Sequence, residues 1–419
     1  MSGYTNLDLA ARHYTDLDRD ENEEHLHRDD GLDSAAGPFS CQRNSQVTLP
    51  FEVANGTRDT FTRHRRWRWL AGLVVVGLIV ATVVLISLLT KNSSKSNSAR
   101  RAQAPDTASS YKPVAHVAGH AFLDWWDFYA GDDPTNGEVR YVTRESAQAE
   151  NLTYYSETED LWYIKADSEN RVPEGEPGRR SVRLESRALF RQGLFVLDAA
   201  HVPTGCGSWP AFWMFADPWP QTGEIDVIEG VHESSGNSIA LHTAGTCSMR
   251  TVDRASFTGA WKEDGPNRSA VDCRFNATSQ PFNQGCSVDA GDGTMGAGFN
   301  AAGGGVWAMV WSSAEIRVHF FPRGSVPSDL AESRPTPSAW GLPVARFAFG
   351  RECEGYQLGP MKLVVSLTFC GDWAGTVWGA GGCASKAGNH TCEEFVRENP
   401  SAFREAYWGI KHLKVFTER

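Results

Sequence analysis

Short stretches in which apolar and polar residues alternate recur along the chain from residue 111 onward, with turn-forming residues between them. Residues 209–215 show the pattern well, because Trp209 and Trp213 fall on one face of a strand while Phe212 falls on the other. Other strand-like segments are residues 138–143, 181–185, 193–197, 237–243, 306–311, 316–321 and 361–369. Many strands with almost no helix predict an all-β fold, an antiparallel β-sandwich formed by residues 113–419.

Residues 70–90 follow a different pattern, since these 21 residues contain no charged side chain. That is the length a helix needs to span a bilayer, and Trp67 and Trp69 lie where an aromatic belt is expected. A buried core helix is the alternative, but apolar residues on every side of the helix argue against it. The sequence therefore predicts one N-terminal transmembrane helix.

Two polar segments flank this apolar run. Residues 1–69 form a tail whose acidic part, 16–33, has few apolar residues and is predicted to be disordered. Residues 91–112 are rich in Ser, Lys and Arg without apolar periodicity, which is typical of a flexible stalk. The predicted order is thus tail, membrane helix, stalk and β-domain.

Charge and cysteine placement predict the orientation of the membrane helix. Four arginines crowd its N-terminal flank at positions 63, 65, 66 and 68, whereas the basic residues after it are more dispersed, which favours a cytosolic N-terminus. Eight of the nine cysteines follow the helix, and an even set in a large domain is typical of disulfides formed in an oxidising compartment. We therefore expect up to four disulfides and a C-terminal domain on the lumenal or extracellular side.

N-glycosylation sequons favour the same orientation. Those after the apolar segment are at Asn92, Asn151, Asn267, Asn276 and Asn389. One sequon at Asn55 lies on the other side and counts against it. Together with the cysteines, the sequons predict a single-pass type II membrane protein and a glycoprotein of the secretory pathway or cell surface.

Composition excludes several function classes. The net charge is −11, and no basic block lies outside the membrane flank, so nucleic acid is not an expected partner. The chain contains no Gly-Lys-Ser/Thr phosphate loop, no His-Glu-x-x-His, no Gly-x-Ser-x-Gly and no Cys-x-x-Cys pair that would predict zinc. No metal or organic cofactor is expected, and nothing in the sequence sets the oligomeric state.

The most informative stretch is residues 223–230, Gly-Glu-Ile-Asp-Val-Ile-Glu-Gly. Three carboxylates fall within six residues that otherwise resemble a strand, although acidic residues are depleted in strands and like charges on one face repel. Glu224 and Asp226 share a face. Glu229 joins them only if one β-bulge at Val227 and Ile228 inserts an extra residue, and bulges are frequent beside active sites.

With that bulge the two glutamates behave as an i, i+4 pair, roughly 13 Å apart at Cα for about 3.3 Å of rise per residue. Side chains that lean inward leave a gap of about 5 Å, which matches the spacing of about 5–5.5 Å between the two carboxyl groups of retaining glycosidases. The alternatives are a solvated acidic edge strand or a Ca²⁺ site, since carboxylate oxygens suit hard cations.

Aromatic residues surround the acidic stretch in the sequence. Flat aromatic faces suit the C–H faces of a pyranose ring, so we predict a sugar-binding groove. The alternative for each ring is ordinary core packing. The candidates for substrate binding are Trp209, Trp213, Trp307, Trp311 and Trp373.

His242 lies on the strand that follows the acidic one. If the two strands pair, this histidine can reach Glu229 and orient it, while a satisfied core histidine is the alternative. It is a further candidate for substrate binding.

The two glutamates then predict a mechanism. Glu224 attacks the anomeric carbon and forms a glycosyl-enzyme, while Glu229 protonates the leaving oxygen and later deprotonates the incoming water or sugar hydroxyl. Asp226 is expected to hydrogen-bond one or both glutamates, and its charge together with that of Glu224 is expected to raise the pKa of Glu229.

The motif at 223–230 resembles the active-site signature of glycoside hydrolase family 16 in its bulged, laminarinase-type form. The resemblance runs from about Phe122 to Phe416. Companion motifs that resemble fungal members are Trp-Pro-Ala-Phe-Trp at 209–213, Leu-His-Thr at 241–243, Phe-Phe-Pro-Arg-Gly at 320–324 and Phe-Cys-Gly-Asp-Trp-Ala-Gly at 369–375.

The resemblance implies a β-jelly-roll with a concave cleft and retaining action on β-1,3- or mixed β-1,3/1,4-glucans. It also implies Glu224 as nucleophile, Asp226 as helper, Glu229 as acid/base, and Trp213 and His242 near the bound sugar. Three functions remain open: a fungal endo-1,3(4)-β-glucanase-like hydrolase, a transglycosylase that remodels cell-wall β-glucan, and a non-catalytic glucan-binding module. The presence of all three carboxylates argues against the last.

Overall fold

The computed structural model describes residues 109–263, 268–355 and 358–418. The predicted tail 1–69, the predicted membrane segment 70–90 and nearly all of the predicted stalk 91–112 lie outside these residues. Within the described ranges, no helix combines the length and the apolar composition that crossing a membrane requires.

The alternating segments fold into strands, and all of the predicted strand segments overlap observed ones. In chain order the strands are β1 (Tyr111–Ala118), β2 (Trp126–Phe128), β3 (Val139–Tyr141), β4 (Thr153–Ser156), β5 (Leu161–Lys165), β6 (Arg179–Ser181), β7 (Arg183–Ser186), β8 (Gly193–His201), β9 (Ser208–Phe215), β10 (Glu224–Glu229), β11 (Gly236–His242), β12 (Ala260–Trp261), β13 (Cys286–Asp292), β14 (Gly305–Trp311), β15 (Glu315–Pro322), β16 (Ala345–Ala348), β17 (Lys362–Phe369) and β18 (Tyr407–Glu418).

Helices are short and lie in the connections. The α-helices are α1 (Arg144–Ala149), α2 (Gly296–Ala301), α3 (Ser328–Ala331), α4 (Cys383–Lys386) and α5 (Cys392–Glu398). Turns of 3-10 helix occupy Gly119–Trp125, Arg254–Ser256, Arg323–Ser325, Pro337–Ala339 and Pro400–Phe403, and a π-helical turn occupies Gly371–Gly375.

The strands form two large antiparallel sheets, as predicted. The first sheet has the order β16-β15-β14-β8-β18-β5-β4, with β1 also paired to β18. The second has the order β12-β13-β11-β10-β9-β17-β7-β2. A small parallel pair, β3 and β6, completes the strand set of the described residues. The acidic strand β10 thus lies in the middle of the second sheet, and β9 and β11 pair with it on its two sides.

One apolar core joins the two sheets. It includes Phe195 and Met309 from the first sheet together with Phe212 and Ile225 from the second, each 0% exposed. Burial of such side chains contributes about 1.5–3 kcal/mol each. Because alternate residues of β9 and β10 are committed to this core, the residues between them are directed to the opposite face of the second sheet.

Two of the predicted sugar-binding tryptophans belong to this core, so their assignment was wrong. Trp307 and Trp311 lie on β14 in the first sheet and are 0% and 3% exposed. Trp307 stacks on Phe320 with 4.6 Å between ring centroids. Rings enclosed in this way have no face to offer a sugar, and core packing explains both.

The eight cysteines of the domain form four disulfides, as predicted. The pairs are Cys206–Cys383, Cys247–Cys353, Cys273–Cys286 and Cys370–Cys392. Cys370 precedes the turn that carries Trp373, and Cys392 begins α5. The pair therefore ties this turn to a helix.

Candidate active site

Strand β10 directs its three carboxyl groups to one face through a single extra residue. Asp226 pairs with Trp213 of β9, but Ile228 pairs with Phe212, the next residue of that strand, so Val227 is the inserted one. Val227 and Ile228 are both 0% exposed and point into the core. The predicted bulge is confirmed. We call the opposite face of the second sheet, which carries Glu224, Asp226 and Glu229, the acidic face.

The middle carboxyl group is enclosed by its neighbours. Asp226 is 1% exposed, whereas Glu224 and Glu229 are partly exposed at the surface of the acidic face. Burial, together with the negative charge of Glu224, holds the pKa of Asp226 well above its usual range. Asp226 therefore favours the protonated form and can share its proton with Glu224.

Burial also raises the pKa of Glu229, to about 8, and the negative charge that Asp226 and Glu224 share adds to the rise. One contact opposes it, because the indole N–H of Trp209 donates a hydrogen bond of 2.8 Å to Glu229 Oε1 and favours the carboxylate. A Glu with such a pKa still holds its proton at neutral pH. This is the property a general acid needs.

A second indole marks the other glutamate. Trp219 Nε1 donates a 2.5 Å hydrogen bond to Glu224 Oε2. Trp219 was not predicted from the sequence, because it lies in the loop between β9 and β10 and its contact depends on how that loop folds back. Each glutamate is thus oriented by its own tryptophan.

Trp213 lies beneath the middle of the site, on the face predicted for it. It pairs with Asp226 across the strands, and its indole N–H donates to Ser366 Oγ at 3.1 Å. The guanidinium carbon of Arg183 lies 5.1 Å from its ring centroid. Arg183 in turn bonds Glu185, whose other oxygen accepts from Lys362 Nζ at 2.9 Å. The acidic face therefore continues beyond Trp213 as a row of paired charged groups, of which Arg183 and Glu185 are buried.

Trp373 lies on the side of the site near Glu229. The rings of Trp373 and Trp209 pack edge to face with 5.7 Å between their centroids. Lys262 Nζ lies 4.9 Å from the centroid of the Trp373 ring. Burial lowers the pKa of Lys262, while the charge of Glu229 opposes that shift. Lys262 is a second residue that the sequence did not reveal, since it lies just after the two-residue strand β12.

His242 contacts a different carboxyl group from the one predicted. Strands β10 and β11 do pair, but His242 lies opposite Glu224, and its Nε2 is 3.2 Å from Asp226 Oδ2 rather than beside Glu229. A side chain at Gly285 would put its Cβ 2.8 Å from His242 Nδ1, so a glycine there leaves room for the ring. His242 is 5% exposed and bounds the buried side of Asp226.

Glu224, Asp226 and His242 could also offer ligands to a metal ion, since one such atom from each lies within 4.8 Å of the others. Ca²⁺ takes about six to eight oxygen ligands, so an imidazole suits it poorly. Metal ligands must also be deprotonated, whereas burial favours the protonated form of Asp226. The set suits proton sharing between carboxyl groups better than metal binding.

The chain also resembles known proteins. A family model described as "XgeA-like, catalytic GH16 domain" matches residues 126–416. The endo-1,3(4)-beta-glucanase of Arthroderma benhamiae is 41% identical over 304 residues, which are 71% of this chain and 63% of the relative. The chain spans about half the length of other relatives it matches, 47% of one from Aspergillus flavus and 50% of one from Aspergillus clavatus.

Two solved structures are similar at the level of both fold and sequence. An elongating GH family 16 beta-1,3-glucosyltransferase is 38% identical with a TM-score of 0.67, and the match covers 73% of this chain and 100% of that one. Laminarinase 16A from Phanerochaete chrysosporium, solved with 6-O-glucosyl-laminaritriose in donor and acceptor sites, is 36% identical with a TM-score of 0.66, over 73% and 99% of the two chains.

Proposed function

Because the chain belongs to glycoside hydrolase family 16, we propose that it is a retaining endo-β-glucanase acting on β-1,3- or mixed β-1,3/1,4-glucans. The observation that carries the proposal is the bulged strand β10. It presents two partly exposed glutamates on either side of a buried aspartate, and burial raises the pKa of Glu229 to about 8. A sugar-binding module needs no such pair of glutamates and no proton held at neutral pH.

The reaction begins with Glu224 as nucleophile. Its carboxylate attacks the anomeric carbon, and the bond to the leaving sugar breaks while Glu229 gives its proton to the departing oxygen. The products of this step are a glycosyl ester on Glu224 and an ionised Glu229. Because burial favours its protonated form, Asp226 can donate a hydrogen bond to the Glu224 carboxylate. This hydrogen bond can break when the ester forms on Glu224.

Water completes the cycle. Glu229, now a carboxylate, takes a proton from water as the water oxygen attacks the anomeric carbon and Glu224 leaves. Two inversions retain the β configuration, and both glutamates return to their starting states. The indoles of Trp209 and Trp219 hold Glu229 and Glu224 in place through the two steps.

A sugar hydroxyl in place of water would make the same site a transglycosylase, and this is the second candidate function. Its support is the likeness to the elongating glucosyltransferase, whose full length the match covers at 38% identity. The chemistry on Glu224 and Glu229 is common to both candidates. The choice between them depends on whether the groove holds an acceptor sugar long enough to exclude water.

The purified protein tests both candidates with laminarin, barley β-glucan and a labelled oligosaccharide. Hydrolysis gives new reducing ends and shorter products, whereas labelled products longer than the starting oligosaccharide indicate transfer. Glu224→Gln keeps the size of the side chain but removes the attacking charge, so either activity should fall by several orders of magnitude. Near-normal turnover by folded Glu224→Gln protein would reject the mechanism. Glu233→Gln is the matched control, because Glu233 is exposed and pairs with Lys386 on the surface.

We further propose that the domain is lumenal or extracellular and anchored by a single helix at residues 70–90. The four disulfides of the described domain support an oxidising compartment. The sequon asparagines Asn151, Asn276 and Asn389 are all exposed, so a glycosyltransferase can reach them. A membrane-anchored glucanase would act on wall glucan close to the membrane.

A further inference from the structure

The bulge that places Glu229 also breaks the backbone ladder beside it. β10 pairs with β11 only from Glu224 to Asp226, which lies opposite Ala240. The carbonyl of Val227 and the N–H of Glu229 lie beyond the last residue of β10 that pairs with β11. A buried backbone group without a partner costs free energy comparable to a lost hydrogen bond, so something else must satisfy these two.

One side chain satisfies both groups. Asn237 is 0% exposed, and its Oδ1 accepts from the N–H of Glu229 at 2.7 Å. Its Nδ2 donates to the carbonyl of Val227 at 2.8 Å. A primary amide is suited to this position because it carries both an acceptor and donors on one planar group.

The backbone of Asn237 is itself fixed from the other side. The pairing of β11 with β13 is also irregular here, with a register shift between Gly236 and Ser238. The N–H of Asn237 donates instead to Thr294 Oγ1 at 2.9 Å, and Thr294 Oγ1 donates to the carbonyl of Gly291 at 2.5 Å. A chain of hydrogen bonds thus runs from the end of β13 through Asn237 to the backbone of Glu229.

We propose that Asn237 is a positioning residue for the reaction, one that clamps the bulge of β10 so that the carboxyl group of Glu229, and not that of Glu224, is held in place for proton transfer. The selectivity follows from the ladder. Glu224 lies in the regular part of β10, where it pairs with Phe215 on one side and His242 on the other, and has no contact with Asn237. This inference rests on the proposed acid/base role of Glu229.

The effect on rate is large for a residue that touches no substrate. A displacement of about 1 Å at a reacting group can cost on the order of 10²-fold in rate. Loss of the amide should therefore lower kcat on laminarin about 10²-fold with little change in KM. The dinitrophenolate of a dinitrophenyl β-glucoside oligomer leaves without protonation. With this substrate, formation of the glycosyl-enzyme should therefore slow by no more than a few-fold.

The test compares Asn237→Ala and Asn237→Asp with wild type. Alanine removes both hydrogen bonds. A buried aspartate keeps an acceptor for the Glu229 N–H and, while it holds its proton, a donor to the Val227 carbonyl, so Asn237→Asp should lose less activity than Asn237→Ala. Asn300→Ala is the matched control. The side chain of Asn300 also bonds one backbone N–H and one carbonyl, both of Val202, at 2.9 and 3.0 Å, but Asn300 lies on α2 and holds the residue that follows β8 of the first sheet.

Rates are expressed per molecule labelled by a 2-deoxy-2-fluoro dinitrophenyl glycoside, which counts folded protein with a working Glu224. In Asn237→Ala, we expect the rate on laminarin to fall far more, relative to wild type, than the rate of glycosyl-enzyme formation from the dinitrophenyl substrate. In Asn300→Ala, the two rates should change relative to wild type by the same factor. Equal losses on both substrates in Asn237→Ala, or a laminarin loss no larger than that of Asn300→Ala, would reject the inference. If Glu229→Ala itself loses equal rate on laminarin and on the dinitrophenyl substrate, the acid/base role of Glu229 is rejected instead. This outcome separates that role from the positioning role of Asn237.

Discussion

At the scale of single residues, the central problem is how Glu229 serves as an acid and then as a base. A glutamate in water is ionised at neutral pH and has no proton to give. Burial and the negative charge that Asp226 and Glu224 share raise the pKa of Glu229 to about 8, and the indole of Trp209 limits the rise. The residue therefore begins protonated but can release its proton within the working range of pH.

This balance predicts a pH dependence. The active form has Glu229 protonated, so kcat/KM should be level just below pH 8 and fall tenfold per unit as pH rises above about 8. Trp209→Phe removes the hydrogen bond that favours the carboxylate. Its basic limb should therefore move to higher pH, by up to about one unit, since a hydrogen bond to a charged group contributes about 1.5 kcal/mol and one unit is about 1.4 kcal/mol. The measurement is kcat/KM on laminarin from pH 5 to about 10.

The chain offers a close control for this substitution. Trp340 also donates its indole N–H to a carboxylate, that of Asp329, at 2.9 and 3.1 Å, but it lies in the connection between β15 and β16 of the first sheet. Trp340→Phe should leave the basic limb of the kcat/KM profile at the same pH as in wild type. A limb that shifts to lower pH in Trp209→Phe would show that the indole does not stabilise the ionised form.

A second residue-scale prediction separates acid/base from nucleophile. Glu229→Ala lacks the proton donor but keeps Glu224, so it should still form the glycosyl-enzyme from a dinitrophenyl β-glucoside oligomer and then stall, because no base activates water. Azide needs no base and fits the vacated space. It should restore turnover and give a β-glycosyl azide, identified by NMR, because two inversions retain configuration.

Other products would change the assignment. Rescue of Glu224→Ala to an α-azide, with Glu229→Ala inert, would exchange the two roles. An α-azide from Glu229→Ala would mean that no covalent intermediate forms, and an inverting mechanism would replace the retaining one.

The residues of the site were predictable to different degrees for physical reasons. Glu224, Asp226 and Glu229 stand out because acidic side chains on a strand need an explanation other than folding. Trp219 and Lys262 reach the site from loop and strand-end positions, and no periodicity records where such residues fold back. His242 was expected beside Glu229, but strand pairing places it opposite Glu224. That register cannot be read from one strand alone.

At the scale of elements, regular alternation made strands predictable and irregularity concealed them. β18, the longest strand, was not among the predicted segments. Its pairing with β8 shifts register at Gly409/Ile410 and again at Ile410/His412, so apolar residues do not recur every second position. The bulge of β10 was predicted only because its carboxylates required it. Helix α5 was missed although Thr391 and Glu394 have the spacing of a capping box.

The capping box predicts a measurable contribution to stability. Thr391 accepts from the N–H of Glu394, and the Glu394 side chain accepts from the N–H of Thr391. Thr391→Ala removes the first bond and should lower the free energy of unfolding by about 1 kcal/mol, measured in an Asn389→Gln background because Thr391 also completes the sequon of Asn389. Urea denaturation measures this. Thr158→Ala, at an exposed position in the β4–β5 turn, should change it by less than about 0.5 kcal/mol. Equal effects of the two substitutions would mean that α5 does not depend on its cap.

At the scale of the whole molecule, the sandwich decides which tryptophans meet the substrate. Trp209 and Trp307 both alternate with other apolar residues in their strands, and the sequence gives no reason to separate them. Only assembly of the sheets places Trp209 on the acidic face and encloses Trp307 between the sheets. The fold class follows from local patterns, whereas the membership of the site depends on which face of each strand the opposite sheet covers.

The membrane topology of the 419-residue chain can be tested directly. If residues 70–90 span the membrane with the N-terminus in the cytosol, protease added to sealed microsomes should remove the tail, residues 1–69, and spare the disulfide-bonded domain. Detergent should then expose the domain, which controls for intrinsic resistance to the protease. Substitution of Asn151, Asn276 or Asn389 by Gln should each remove one glycan and increase gel mobility, because these exposed asparagines would face the glycosylating compartment. Loss of the domain from sealed vesicles, with the tail protected, would reverse the orientation. It would also leave the four disulfides in a reducing compartment, where such bonds are rare.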